Sequence, residues 1–284
     1  MSSVCSIMPF LQKGYTIPDL VQNFAQELRK EGSLQSILHA NKLMEYHKMI
    51  TTSDFLENLQ NNFKYIQRIC NELDFLYSID GRRKALQSFE DKIAHLLNSS
   101  SSLDLLRDIY AFRLIIHDAP QNPMDAIANC YVAMEKIILY LSSQGFIPCE
   151  SKISSQKEKF NPTKHPEIYV PTKPCLNPKF KDYVKNYIYR PKSNGYQSLH
   201  ASFRDSRTGR FFEVQIRTAT MHIHAEYFGA KHLDYKKKKY SATTQTWDWS
   251  KINVSGFYYI PPHDEEKESY LDLAGLIEPK IILQ

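Results

Sequence analysis

The sequence has few cysteines, and none of them lie close enough along the chain to form a pattern. Its five cysteines are scattered over 284 residues, and no CxxC pair occurs. This spacing excludes a cysteine-rich zinc module and a disulfide framework, and it favours free thiols in a reducing compartment. No apolar run is long enough to span a membrane, and the N-terminus lacks the layout of a secretion signal. We therefore expect a cytoplasmic protein without a membrane partner.

The sequence also lacks a strong excess of charge of either sign. Lysine and arginine number 36 against 31 acidic residues, which gives a net charge of +5. A balance this mild is compatible with anionic ligands without requiring one. The hydrophobic content of 42% and charged content of 24% are ordinary for a globular protein. The chain is long enough for one large domain or two small ones.

Residues 197–205 and 210–218 are two runs rich in aromatic and β-favouring residues, separated by a short connection that ends in glycine. This arrangement predicts a β-hairpin. In the second run Glu213, Gln215 and Arg217 alternate with aliphatic residues, so the polar side chains share one face of the strand. A half-solvated strand shows the same alternation. A carboxylate, an amide and a guanidinium in a row also make a usable surface for a charged ligand.

A basic turn at residues 190–196 precedes the hairpin. Its sequence, RPKSNGY, combines two cations, an Asn-Gly pair and Tyr196. Asn-Gly allows positive φ and a tight reversal, so the Tyr196 ring would project from a fixed turn and could stack on a base. Arg190 and Lys192 suit phosphates. Taken alone, the motif is better explained as an ordinary basic surface turn.

Residues 107–118, RDIYAFRLIIHD, predict a buried strand. Asp108 at its start and Arg113 within it are unexpected there, because a core strand accepts an arginine only if the side chain reaches a partner or a site. Apolar periodicity predicts helices before residue 70, over residues 123–142 and over residues 219–239. Residues 154–179 show no period and predict a long irregular loop.

The last predicted helix contains histidines that attract attention as metal ligands. They are His222, His224 and His232, with Glu226 beside them. No HExxH pattern is present, and we do not predict a zinc site on this helix.

Three blocks of the sequence together resemble the synthetase domain of the RelA/SpoT family. The blocks are PKSNGYQSLH, EVQIRT and MHIHAEYFGAKHLDYK, in this order and at close spacing, and the resemblance extends upstream to about Gly81. These alarmone synthetases move pyrophosphate from ATP to a guanosine nucleotide. We expect an α+β, nucleotidyltransferase-like fold with a mixed β-sheet flanked by helices. Residues 1–80 are predicted to be a helical region packing on the catalytic domain, residues 81–240 the synthetase domain, and residues 241–284 a C-terminal tail or appendage.

The resemblance also implies roles for individual residues. Asp108 and Glu213 would hold Mg²⁺ and act as the catalytic residues, and Glu213 could accept the proton of the attacking hydroxyl. The cations expected to hold the ATP phosphates are Arg82, Lys84, Lys92 and Arg113. The residues expected at the acceptor are Tyr196, Lys192, His200, Gln215, Arg217 and Lys181. About four residues inserted near Lys185 leave the choice between Lys181 and Lys185 open.

The family has a hydrolase domain with an HD pair and a large regulatory region, for which this chain has no room, so we expect a stand-alone small synthetase. Its predicted reaction transfers the β,γ-pyrophosphate of ATP to the 3′-hydroxyl of GDP or GTP, giving (p)ppGpp and AMP. An alternative is a toxin that modifies the 3′ end of tRNA in the same way and pairs with an antitoxin protein. The mild basic charge and the lysine run at residues 236–239 fit tRNA without requiring it.

The second alternative is a nucleotide sensor without catalysis. The presence of both Asp108 and Glu213 argues against it, because a sensor need not keep a metal-binding pair. The expected partners are ATP, a guanosine nucleotide or tRNA, an antitoxin in the toxin alternative, and a second copy of the chain.

Overall fold

The computed structural model describes residues 17–84, 89, 92–93, 96–97, 106–117, 123–151 and 160–227. The predicted tail at residues 241–284, the lysine run at residues 236–239 and His232 lie outside these residues. The helices, in chain order, are α1 (Ile17–Glu31), α2 (Leu34–Ile50), α3 (Phe55–Cys70), α4 (Pro123–Ser143) and α5 (Ala219–Tyr227). The strands are β1 (Tyr77–Arg83), β2 (Tyr110–Ile116), β3 (Phe146–Pro148), β4 (Val184–Asn186), β5 (Leu199–Asp205) and β6 (Phe211–Thr218).

Six strands form one mixed sheet. Strands β1, β2, β6, β5 and β3 lie side by side in that order, and β4 pairs with the start of β5 on the edge that β3 also uses. The β2–β6 pair is parallel, and the other pairs are antiparallel. This architecture confirms the predicted α+β class with a mixed sheet flanked by helices.

One face of the sheet is apolar and carries a cluster of phenylalanine rings. Phe212 on β6 lies 5.5 Å from Phe112 on β2 and 5.5 Å from Phe146 on β3, measured between ring centroids. Phe63 of α3 reaches Phe112 at 5.5 Å, and Phe203 of β5 stacks on Phe212 at 5.6 Å. All these rings are buried. Helices α3 and α4 contact each other, and α4 covers β3, β5 and β6, so the hydrophobic core lies on this side.

Helix α3 is fixed to the β5–β6 hairpin by a polar contact. The guanidinium of Arg210, which is buried, donates to both oxygens of Asp54 at 3.1 and 2.8 Å and also to Thr52. Asn58 donates to Asp205 Oδ2 at 3.2 Å. The bond from Arg210 lowers the pKa of Asp54 to about 2. Asp54 stands at the N-cap of α3 but makes no side-chain capping bond, because its carboxylate binds the hairpin instead.

Two strands were not foreseen from the sequence. β1 runs across residues 80 and 81, between which the predicted domain boundary falls, and it pairs with β2 along its whole length. Its residues lack a clear alternation. β4 has only three residues and lies within the inserted segment, paired with β5. In the irregular stretch before it, the described part contains one short 3₁₀ helix, Pro178–Phe180.

Among the helices that the structure describes, none combines the length and the apolarity needed to cross a bilayer.

Replacing Phe212 by Ala should lower the free energy of unfolding by about 3–5 kcal/mol, because it empties the centre of the phenylalanine cluster. Chemical denaturation followed by circular dichroism measures this loss. Leu38→Ala is the control, since Leu38 is 54% exposed and its truncation should cost less than about 0.5 kcal/mol. Similar losses for both variants would contradict the assignment of the core.

Candidate active site

The face of the sheet opposite the phenylalanines is polar, although it is buried. The β2–β6 register sets Arg113 beside Gln215, and the β5–β6 register sets His200 on the other side of Gln215. Glu213 and Arg217 lie on the same face at the spacing of two residues. Each of these five residues is less than 10% exposed. The fold therefore brings together five residues that the sequence predicts for donor, catalysis and acceptor.

A chain of hydrogen bonds connects Glu213 to the turn that carries Tyr196. Gln215 Nε2 donates to Glu213 Oε1 at 2.8 Å, and His200 Nδ1 lies 3.1 Å from the same oxygen. His200 Nε2 lies 2.9 Å from the Tyr196 hydroxyl. Burial alone would raise the pKa of Glu213, but the charge and hydrogen bond of His200 outweigh it and lower this pKa to about 2. Glu213 is therefore ionised at neutral pH.

Tyr196 is held by the turn that the Asn-Gly pair predicts. Gly195 has φ +79°, and its N–H donates to the Lys192 carbonyl at 2.8 Å. The Lys192 ammonium lies 5.0 Å from the centroid of the half-buried Tyr196 ring, and the Arg217 guanidinium lies 5.9 Å from it. Burial would raise the pKa of Tyr196, but nearby positive charges, His200 first and then Arg217, lower it to about 7.

A second carboxylate, Asp108, lies between two lysines just before β2. Lys84 Nζ donates to Asp108 Oδ2 at 2.9 Å, and Lys92 Nζ donates to Oδ1. Although burial opposes it, the two ammonium groups hold the pKa of Asp108 well below its usual range. Burial is the main reason that the pKa of Lys92 is lowered. The backbone of Arg82 pairs with β2 at Ala111, while its side chain lies outside the described part of the chain.

Positive charge exceeds negative charge across this face. Among the side chains that the structure describes, two carboxylates, Asp108 and Glu213, share the site with six cationic side chains, and the β1–β2 register sets the backbone of Asp80 opposite Arg113. The cations are Lys84, Lys92, Arg113, Lys185, Lys192 and Arg217. Gln215 Oε1 is in addition a buried acceptor with no hydrogen-bond partner among the described residues. A face with this composition suits a ligand that carries several negative charges and a polar group able to donate a hydrogen bond to Gln215 Oε1.

The structure distinguishes the two lysines between which the sequence left the choice open. Lys185 lies on β4 opposite His200, and its charge contributes to the low pKa of Glu213. Lys181 is exposed at the end of the 3₁₀ helix. Sequence reasoning missed Tyr187, whose ring lies 5.4 Å from His200 and 6.2 Å from Tyr196. Its position beside the inserted β4 residues was the only available signal.

The histidines of α5 have separate partners. Arg217 Nη2 lies 2.8 Å from His222 Nδ1, and since an arginine only donates, His222 accepts through this nitrogen and orients the guanidinium. His224 turns to the segment at residues 160–168 instead, where its Nε2 lies 3.1 Å from Glu167 Oε1. The side chain of Glu226, another ligand considered from the sequence, lies outside the described part.

Comparison with known proteins identifies the family. Residues 81–240 match the model of the region found in RelA / SpoT proteins. The chain belongs to the RelA/SpoT family. A probable chloroplastic GTP diphosphokinase of Arabidopsis thaliana is 32% identical over 178 residues, which cover 62% of this chain and 18% of that protein. The bifunctional (p)ppGpp synthase/hydrolase SpoT of Escherichia coli K12 is 28% identical over 191 residues, or 65% of this chain and 20% of SpoT.

The chain thus spans about a fifth of the length of these RelA/SpoT relatives. Among solved structures, the small alarmone synthetase 1 from Bacillus subtilis bound to its product pppGpp is 18% identical, with a TM-score of 0.39. That alignment covers 68% of this chain and 83% of the Bacillus chain.

Tyr196 should ionise near pH 7, and ultraviolet titration should show a tyrosinate step there that Tyr196→Phe lacks. Folding lowers this pKa from an unfolded value of about 10, so ionised Tyr196 stabilises the fold fully above pH 10. The contribution is lost as the pH falls through 7. Relative to the Phe variant, the wild type should therefore gain stability between pH 7 and 10.

Tyr187→Phe is the matched control for this titration. Burial first, and then Glu213, raise the pKa of Tyr187 to about 12, so its loss should leave the neutral step unchanged. A step that persists in Tyr196→Phe would contradict the assignment.

Proposed function

We propose that the chain is an ATP-dependent pyrophosphokinase. It transfers the β,γ-pyrophosphate of ATP to the 3′-hydroxyl of GDP or GTP and releases AMP. The observation that carries this proposal is the excess of cations around two ionised carboxylates, one on the polar face of the sheet and one just before β2. Polyphosphates need such a surface. The names of the relatives, GTP diphosphokinase and (p)ppGpp synthase/hydrolase, support the same reaction.

Asp108 and Glu213 fit a divalent cation that prefers oxygen ligands. Both carboxylates have lowered pKa values, and the charge of Asp108 acts on Glu213, which supports a shared site. Bound there, Mg²⁺ would supply charge neutralisation at the phosphoryl oxygens. Glu213, with its pKa of about 2, is a weak proton acceptor at neutral pH. We therefore assign it to holding the ion and positioning the acceptor hydroxyl, because phosphoryl transfer depends mainly on positioning and electrostatics.

The ATP phosphates are assigned to the cations on the β1–β2 side of the face. Lys84 and Lys92 can exchange their contacts with Asp108 for phosphate oxygens at short range. Arg113 on β2 pairs with Gln215 on β6, two residues after Glu213 and on the same face of the sheet. Arg82 stays a prediction from the sequence. Together these residues would hold the donor in line with the acceptor. Such positioning supplies a large part of the rate enhancement in enzymes of this kind.

The acceptor is assigned to the β4–β5 side. The Tyr196 ring would stack on the base, a contact worth about 1–3 kcal/mol, while Lys192 and Arg217 would bind its phosphates. His200 positions Tyr196 and Glu213 relative to each other, since it bonds both. Lys185 replaces Lys181 in this assignment, because it faces His200. Gln215 Oε1 would accept from the ribose or from a bound water.

The tRNA alternative uses the same donor chemistry and differs only in the acceptor. We rank it second because its main support, the lysine run at residues 236–239, lies outside the described residues. An antitoxin partner and a homo-oligomer likewise stay predictions.

The acceptor is tested by incubating the chain with γ-labelled ATP and, separately, GDP, GTP and bulk tRNA. We expect label on GDP and GTP with equimolar AMP, because the pocket has cations for a small polyphosphate. Label on tRNA alone would replace the guanosine acceptor by tRNA. If ATP binds and no label moves to any acceptor, the chain is a sensor.

Glu213→Gln and Asp108→Asn should each lower turnover by about 100-fold or more, since each keeps the shape and removes the charge. Steady-state AMP release measures the loss, and circular dichroism melting checks the fold. Glu57→Gln, an exposed carboxylate on α3, is the matched control and should keep full activity. Near-normal turnover in Glu213→Gln would reject this site.

A further inference from the structure

Behind the Tyr196 turn, His165, Glu167 and His224 form a cluster that the proposed transfer does not use. His224 Nε2 lies 3.1 Å from Glu167 Oε1, and His165 Nδ1 lies 3.6 Å from the same oxygen. One ligand atom from each residue lies within 4.8 Å of the other two. Two imidazoles and a carboxylate therefore converge on one point from two distant parts of the chain.

Two of their three separations are close to those of a tetrahedral metal site, and the third is within 4.8 Å. Bonds of about 2.0–2.1 Å from Zn²⁺ to nitrogen and oxygen place neighbouring ligands about 3.3–3.4 Å apart. The two measured separations lie on either side of this value. Two histidines and one glutamate are also a known zinc ligand set, with a fourth position open for water. A hydrogen bond accounts for the contact between His224 and Glu167, and His165 lies within ion-pair distance of the same oxygen, so one carboxylate oxygen attracts both imidazoles.

The ring of His165 is already oriented for binding through Nδ1. Its Nε2 lies 3.2 Å from the Ser193 carbonyl, and a carbonyl only accepts, so Nε2 carries a proton and Nδ1 is the nitrogen through which the neutral ring would bind a metal ion. A backbone carbonyl bonded to the far nitrogen is the usual outer contact of a metal-bound histidine. The ring of Phe160 stacks on His165 at 5.8 Å and fixes its plane.

The cluster is accessible to an ion from one side. The Glu167 side chain is 53% exposed, whereas His165 and His224 are 17% and 12% exposed. An ion could therefore enter past the carboxylate and meet two imidazoles that are already in place. This arrangement requires little reorganisation on binding.

We propose that His165, Glu167 and His224 bind one Zn²⁺ ion, separate from the carboxylate pair assigned to Mg²⁺. The sequence pattern of α5 does not predict this site, because two of the three ligands lie in the irregular stretch before β4. The ligand set favours zinc over magnesium, since imidazole suits zinc and magnesium prefers oxygen.

The ion would fix the turn at residues 192–196 from behind. A Cβ on Gly195 would lie 3.0 Å from His224 Cε1 and 3.3 Å from His165 Nδ1 and would overlap Ile168, so the turn packs directly on the ligands. Zinc would tie the 160–168 segment and α5 together at this position. Tyr196 belongs to this turn, so any effect of the ion on acceptor binding rests on the proposed function. The binding of zinc itself does not rest on that function.

The test is a zinc titration of the full chain after chelation and buffer exchange, with Mg²⁺ kept in excess. Competition with a chromophoric zinc indicator gives the affinity, and Co²⁺ in place of zinc reports a tetrahedral site through its visible absorption. We expect one equivalent of zinc. His165→Ala and His224→Ala should each weaken it at least tenfold, and Glu167→Gln, which changes an exposed side chain, should also weaken it.

Matched variants separate this site from other zinc ligands. His39→Ala, on α2 and away from the cluster, should bind zinc as the wild type does, and so should His200→Ala, which changes the candidate active site. Zinc binding that survives the loss of His165 and His224, or that disappears with His200, would overturn the proposal. Circular dichroism of each variant checks the fold. Because the readout is metal binding, its failure leaves the pyrophosphokinase proposal intact, and a failure of transfer leaves the zinc site intact.

Discussion

The burial of charge on one face of the sheet is the constraint on which the rest of this structure depends. Arg113, Glu213 and Arg217 are almost fully buried, and each ionised group taken out of water costs several kcal/mol unless partners compensate for it. The strict alternation along β6 keeps these groups apart from the phenylalanine cluster on the other face. A slip of one residue in the register would reverse both faces. The apolar packing therefore fixes the polar geometry.

The N-terminal helices support this register from behind. Phe63 of α3 packs on Phe112 of β2, and Arg210 at the start of β6 binds Asp54 at the start of α3. One contact lies under the middle of the sheet and the other at the end of the hairpin. Because β6 carries Glu213, a change in how α3 docks would move the carboxylate relative to β2. The helical region thus belongs to the physical definition of the site.

Local patterns predicted the parts of this protein that local physics determines. The alternation around Glu213, the Asn-Gly turn before Tyr196 and the helix at residues 123–142 are each set by neighbours in sequence. β1 and β4 were missed because their pairing partners, not their own composition, make them strands. His165 and His224 lie far apart in the sequence, and the segment of His165 has no period, so their meeting follows only from the tertiary fold.

The contacts from Tyr196 through His200 to Glu213 couple the side of the face that we propose for the acceptor to the carboxylate of Glu213. The low pKa of Tyr196 depends on cations, including Lys192 and Arg217, that an anionic acceptor would also need. Phosphates bound to those cations would offset their charge and raise the pKa of Tyr196, so the ring would bind a base in its neutral form. By linkage, ionisation of Tyr196 must weaken acceptor binding by the same factor by which the bound acceptor increases the proton affinity of Tyr196. Under the proposed function, acceptor binding and the protonation of Tyr196 would therefore favour each other.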